Sequence, residues 1–192
     1  MKKKSLALVL ALAMIVVCVV GGTLAWLIAT TPEVKNTFTY GDINIKLEET
    51  GTTAAADGSA TKEFKMIPGY TIAKDPKVTV EAGSEKCYLF VKVAESDNFD
   101  DFMTYDMAAG WTALTGVNGV YYRVVDTADM GTAYSVLAND KVTVRGDVTK
   151  AMLNGLTEAT QPTLTFTAYA CQYNSSNNTP FTAEAAWAKV GA

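Results

Sequence analysis

The chain has 192 residues, 49% of them apolar and 10% aromatic, with a formal charge of −4. That composition excludes a disordered chain, and the acidic balance argues against nucleic acid and anionic lipid as partners. There is no histidine, which removes Ser-His-Asp and Cys-His catalysis and the His-Glu-x-x-His zinc site.

The chain begins as an export signal. Lys2, Lys3 and Lys4 form a positive n-region, Leu6 to Val20 an apolar h-region, and Thr23 and Ala25 the small residues of a cleavage site before Trp26. The competing reading is an uncleaved anchor, because Ser5 to Thr31 carries no charge and is long enough to span a bilayer. Gly21-Gly22 weakens a helix end there, which favours cleavage. Cys18 follows Val16-Val17, unlike a lipobox, which wants a small residue before its cysteine. Cleavage removes three lysines and no acids, leaving 13 basic against 20 acidic residues and a charge of −7. The expected division is a signal peptide at 1–25, a short N-terminal strand at 26–37 and one domain at 38–192.

Thr37 to Leu47 alternates, with Ile43, Ile45 and Leu47 on one face. Glu49 to Thr61 is a loop of small residues. Phe64 to Ile67 predicts a strand stopped by Pro68-Gly69, the pair that suits a type II turn. Lys77 to Val80 and Cys87 to Ala94 predict strands on either side of Ala82-Gly83-Ser84. Asn98 caps a short helix that carries Asp100 and Asp101 in its first turn. Trp111 to Thr115 and Val120 to Val125 flank a tight turn at Asn118-Gly119. Ala133 to Leu137 and Lys141 to Arg145 follow, then a helix opened by Thr149 and ended near Gly155. Pro162 to Tyr173 is the longest clean strand, with Leu164, Phe166, Ala168 and Ala170 on one face. Phe181 to Val190 predicts a closing helix. Short strands separated by turn signals predict an all-β sandwich.

Two stretches resemble a known family. Gly21-Gly22-Thr23-Leu24-Ala25, an aromatic at 26, and Asn36 to Leu47 are similar to the start of the TasA/camelysin (CalY) family, and Ile67 to Val80 is similar to its Pro-Gly turn and following strand. The resemblance covers about the first half of the chain well and the second half loosely. It implies a secreted, extracellular biofilm-matrix or cell-surface protein of a Gram-positive bacterium. It also implies processing by a SipW-type signal peptidase and a jelly-roll strand order. The strand pattern alone does not separate a jelly roll from an immunoglobulin-like order. Camelysin relatives are described as metallopeptidases, and nothing in a chain without histidine supports that activity.

Chemistry-bearing clusters are sparse. Asp97, Asp100, Asp101 and Asp106 could offer oxygens to calcium, yet their spacing is not that of an EF-hand loop, and acids on a solvated helix start explain them. Asp126 to Asp129 reads as a turn. No carboxylate pair is marked out for glycoside hydrolysis. No catalytic residue, metal ligand or cofactor is expected. Tyr88, Phe90, Tyr121, Tyr122, Tyr169 and Tyr173 sit in strands, where packing is their commoner fate. Exposed, they would serve the alternative of an adhesin or carbohydrate-binding sandwich. Cys87 and Cys171 are a candidate disulfide in an oxidising compartment. Their phases differ: Cys87 aligns with the apolar face of its strand and Cys171 with Thr165, Thr167 and Tyr169, so unpaired thiols are the other reading.

The segment after the cleavage site carries the functional expectation. Trp26, Leu27, Ile28 and Val34 lie in a short extended stretch in which Pro32 opposes helix. Such a segment can pair with a sheet edge of a neighbour, making a homopolymer or a polymer with a related matrix protein. The alternative is that it forms an edge strand of its own sheet. Membrane contact is expected only through the signal before cleavage.

Overall fold

Alternating apolar residues build two facing layers of antiparallel strands with a few short helices. The computed structural model describes residues 41–54 and 59–191, which fall within one compact unit, Tyr40–Ala192. The expected signal, its expected cleavage residues Thr23, Ala25 and Trp26, and the expected assembly residues Trp26, Leu27, Ile28 and Val34 lie outside the described residues.

The first layer is a four-stranded sheet in the order β12 (Leu164–Gln172), β6 (Cys87–Glu95), β9 (Val120–Val125) and β8 (Thr112–Ala113). β12 and β6 pair over nine residues, Leu164 with Glu95 through Gln172 with Cys87. The register of β6 on β9, Cys87 with Val125 through Lys92 with Val120, puts Cys87, Leu89 and Val91 on the same face as Val125, Arg123 and Tyr121. Gly119 closes the turn before β9 at φ +70°, and a Cβ there would stand 2.4 Å from the Val93 carbonyl oxygen, so this turn requires glycine.

The second layer is an interrupted one. β5 (Lys77–Val80) lies between β1 (Ile45–Glu48) and β10 (Ala133–Ser135). β11 (Lys141–Val144) lies between β4 (Thr71–Ala73) and β7 (Met103–Thr104). β4 and β5 therefore run against β11 and β10 as one long antiparallel pair with a break. Pro76, which has no N–H, sits on one side of the break, and Asn139 and Asp140 adopt positive φ on the other. Val78 and Val80 of β5 meet Leu89, Val91 and Val93 of β6 in the main core. At about 25 cal/mol per Å² of apolar area, each such buried valine contributes about 1.5 kcal/mol or more.

Among the described residues three α-helices finish the fold. α1 (Phe99–Phe102) follows Asn98 as expected, but the Asn98 side chain caps nothing. Its amide donates to the Thr160 carbonyl at 2.9 Å, and Ser96 Oγ pairs with its carbonyl oxygen. α2 (Lys150–Asn154) is capped by Thr149, whose Oγ1 accepts from Met152 N. α3 (Ala183–Val190) is capped by Thr182, which accepts from Ala185 N. It lays Ala183, Ala186 and Trp187 on the outer face of the first sheet.

Some expectations need correction. Residues 62–67 form no strand. The strand comes after the turn, as β4, because Tyr70 N bonds Ile67 O and Val144 N bonds Tyr70 O. The small-residue stretch is not all loop: β2 (Thr53–Ala54) pairs with β3 (Ala60–Thr61). The two strands expected on either side of Ala82-Gly83-Ser84 are present as β5 and β6, in different layers, and the chain crosses between them over residues 81–86.

Candidate assembly surface

The two long sides of the sandwich are built from different residues. On one side β10 faces β9 and β8. Arg123 projects inward from β9, and its guanidinium lies 3.7 Å from the Tyr134 ring centre and 5.3 Å from that of Trp111. Trp111 Nε1 donates to the Ser135 carbonyl at 2.8 Å, tying the start of β8 to β10. Gly110, at φ +87°, leaves room for the guanidinium; a Cβ there would stand 2.9 Å from Nη2. The arginine stem and two aromatic faces plug this side. Burial holds the guanidinium below its usual pKa.

On the other side β1 faces β12. Here the inner residues Leu164, Phe166, Ala168 and Ala170 are only half-buried, as are Ile43 and Ile45 opposite them, and Leu47 is 37% exposed. Their neighbours on β6, Leu89 and Val91, are fully buried. One end of the seam is closed by Lys74, which bonds Glu49 Oε2 at 2.9 Å and lies 5.3 Å from the Phe166 ring centre and 5.4 Å from that of Phe64. Glu49 Oε1 is buried there without a partner.

Among the described residues no strand pairs with the outer edge of β12. β12 reads Leu-Thr-Phe-Thr-Ala-Tyr-Ala-Cys-Gln: no charge, no proline and, across nine consecutive pairs, no bulge. Those are the features that ordinarily protect an edge from pairing with another chain. Its outer face is divided. Thr165 and Thr167 are exposed, whereas Tyr169 and Cys171 lie under α3.

The strand aromatics are mostly interior, the packed arrangement that is their commoner fate. Tyr88 and Phe90 are buried, and Tyr122, Tyr169 and Tyr173 are half-buried around them with Trp187. Tyr169 meets the Trp187 ring edge-on at 5.2 Å, Phe90 meets it at 5.3 Å, and Tyr88 OH donates to the Phe181 carbonyl. Tyr121 packs inward against the main core. The aromatic that stands out as exposed among the described residues is Tyr70, at 64%, beside the Pro-Gly turn. Sequence alternation gave no sign of this, because it depends on where the turn lies.

Cys87 and Cys171 are both free. Cys87 faces the main core, and Cys171 faces the opposite side of the sheet. Cβ vectors that point apart preclude a bridge without backbone movement. Cys171 does point away from the sandwich interior, but α3 covers it, leaving 7% exposed. Burial pushes the Cys87 thiol up to about 11, with Cys171 adding to the shift, and raises Cys171 as well.

The acids are placed separately. Asp126 accepts from Lys86 Nζ at 2.7 Å and from Thr127 N, and the Lys86 bond holds its carboxyl below the usual range. Asp100 and Asp106, with Glu95, Tyr105 and Tyr121, line a shallow pocket of about 380 Å³, in which Tyr105 OH donates to Glu95 Oε1. Among the described residues no three Cys, Asp or Glu side chains are grouped to hold a metal ion, and no helix is long and apolar enough to cross a membrane.

No family model matches this chain, and no curated protein or solved structure matches it significantly.

Proposed function

We propose that this is a non-enzymatic structural protein, exported by its N-terminal signal and built into an extracellular fibre or matrix at the cell surface. It assembles with itself, or with a related matrix protein, through the strand segment that follows the cleavage site. The β12 edge carries this reading: a nine-residue, uncharged strand with one side of its backbone unpaired among the described residues is a template for pairing. The likeness of residues 21–47 and 67–80 to the TasA/camelysin family supports the same reading, with SipW-type processing and a jelly-roll order. The alternative, a cell-surface adhesin or carbohydrate-binding sandwich, draws on the exposed Tyr70 alone and is the weaker.

The test is electron microscopy and sedimentation of mature protein beginning at Trp26. Regular filaments are the expected result. A protein that stays monomeric across concentration, salt and pH, and instead retains polysaccharide, would overturn the fibre reading in favour of the adhesin.

A further inference from the structure

We infer that Asn118 is a site of spontaneous covalent modification. The backbone nitrogen of Gly119 displaces its side-chain amide to give a succinimide, which water opens to aspartate or isoaspartate. This chemistry does not depend on the fibre reading.

The step needs no reagent but water. Gly119 N forms a bond to Asn118 Cγ, the Cγ–Nδ2 bond breaks, and Nδ2 leaves as ammonia with the proton given up by Gly119 N. Water then opens the ring. Attack at Cγ restores the backbone and leaves aspartate. Attack at the α-carbonyl carbon routes the main chain through Cβ and Cγ, one carbon longer, and leaves isoaspartate.

The turn favours this reaction. Glycine has no Cβ to shield the attacking nitrogen. Asn118 is exposed, and its side chain has no hydrogen-bond partner among the described residues. The peptide unit between Asn118 and Gly119 makes no hydrogen bond to them either, through its carbonyl or its N–H. The turn is held at its feet: Val117 N donates to Leu114 O at 3.3 Å, Leu114 N to Val120 O at 2.8 Å, and Val93 N to Gly119 O at 2.7 Å. The peptide at its crown is free to rotate until Gly119 N meets Cγ.

The same dipeptide recurs at Asn154-Gly155, also exposed, in a different setting. Asn154 is the last residue of α2, and Gly155 N donates to Ala151 O at 3.1 Å and to Met152 O at 3.2 Å. An engaged N–H keeps its proton, and a helical ψ near −42° holds the side chain away from the next nitrogen. Opening the helix end costs at least one net hydrogen bond, which slows ring closure about tenfold. Asn44, Asn98, Asn174 and Asn178 have engaged side chains and are followed by residues with a Cβ.

The two products differ in consequence. Gly119 lies so close to Val93 that a Cβ would stand 2.4 Å from its carbonyl oxygen. An extra main-chain carbon just before Gly119 has no slack to enter. Isoaspartate therefore breaks the bond from Val93 N and loosens the β8–β9 turn, whereas aspartate adds only a charge at an exposed position.

The test incubates the purified protein in mildly alkaline buffer, folded and in denaturant, and follows both sites by peptide mass spectrometry with fragmentation that separates isoaspartate from aspartate. In the folded protein the gain of about 1 Da should accumulate about tenfold faster at Asn118 than at Asn154. In denaturant the two rates should converge. Equal rates in the folded protein, or a ratio unchanged by denaturant, would overturn the turn as the cause. Asn118→Asp should melt with the wild type, and the isoaspartate fraction below it. An isoaspartate fraction that melts with the wild type would overturn the claimed loss of the Val93 bond.

Discussion

The β8–β10 side of the sandwich and the β1–β12 side face the same core and finish it differently. On the first, short strands are sealed by Trp111, Arg123 and Tyr134, with one hydrogen bond and one guanidinium–ring contact across the layers and a second ring contact within the first layer. On the second, a nine-residue strand ends the sheet among the described residues, its inward residues are half-buried, and the strand carries no charge. A side sealed by side chains serves the stability of the monomer. A side whose edge strand has no partner among the described residues contributes less to it. The two sides should therefore respond to mutation in opposite ways, the first in folding and the second in assembly.

The largest effect is expected at Trp111. Trp111→Ala removes the half-buried indole and the bond to Ser135, and should lower unfolding free energy by about 2–3 kcal/mol, below the ~3–5 kcal/mol typical of fully buried aromatics. Chemical denaturation of the monomer measures it. An effect near zero would mean that the closed side contributes nothing to holding the layers. Arg123 sharpens the same point. Arg123→Ala, which removes stem and charge, should cost about 1–2 kcal/mol, and Arg123→Met, which keeps an apolar stem, about 0.5–1 kcal/mol. Equal losses would show that the guanidinium rather than the stem makes the seal.

Between the two sides, Cys87 gives a pH signature. Its folded pKa is raised to about 11, above the ~8.5 of an unfolded thiol. Over that interval the unfolded chain releases the proton and the folded chain keeps it, so the contribution is full below about pH 8.5 and is lost as pH rises toward 11. Melting temperature should fall more steeply through this window in the wild type than in Cys87→Ala. Parallel curves would remove Cys87 as the source. The smallest folding effect is expected on the bare side: Thr165→Lys and Thr167→Lys should each change monomer stability by less than about 0.5 kcal/mol, because both side chains are exposed. A loss comparable with that of Trp111→Ala would mean that this edge already supports the monomer, and would break the comparison.

Local signals were legible where chemistry is local. Thr149 caps its helix through its own hydroxyl, Gly155 ends α2, and Pro68-Gly69 makes its turn. Alternation placed Leu164, Phe166, Ala168 and Ala170 on the core side of β12, and Leu89, Val91 and Val93 on that of β6. The strand expected at Phe64 to Ile67 failed because a few alternating residues make a strand only when a partner ladder is present, and the ladder with β11 begins after the turn. Asn98 stands where a cap should, but a distant carbonyl, that of Thr160, takes its amide.

The residues by themselves determined an all-β sandwich with short helices, the strand carrying the longest uninterrupted pattern, and the exclusion of histidine chemistry, because period, turn geometry and side-chain identity are properties of neighbouring residues. Only the tertiary structure decided which of the described strands are edges, that Cys87 and Cys171 face opposite ways, that α3 covers the aromatic face, and that one side of the sandwich is sealed while the edge strand of the other has no partner among the described residues. Those depend on pairing between residues far apart in the chain, and periodicity reports only which way a side chain points, not what meets it.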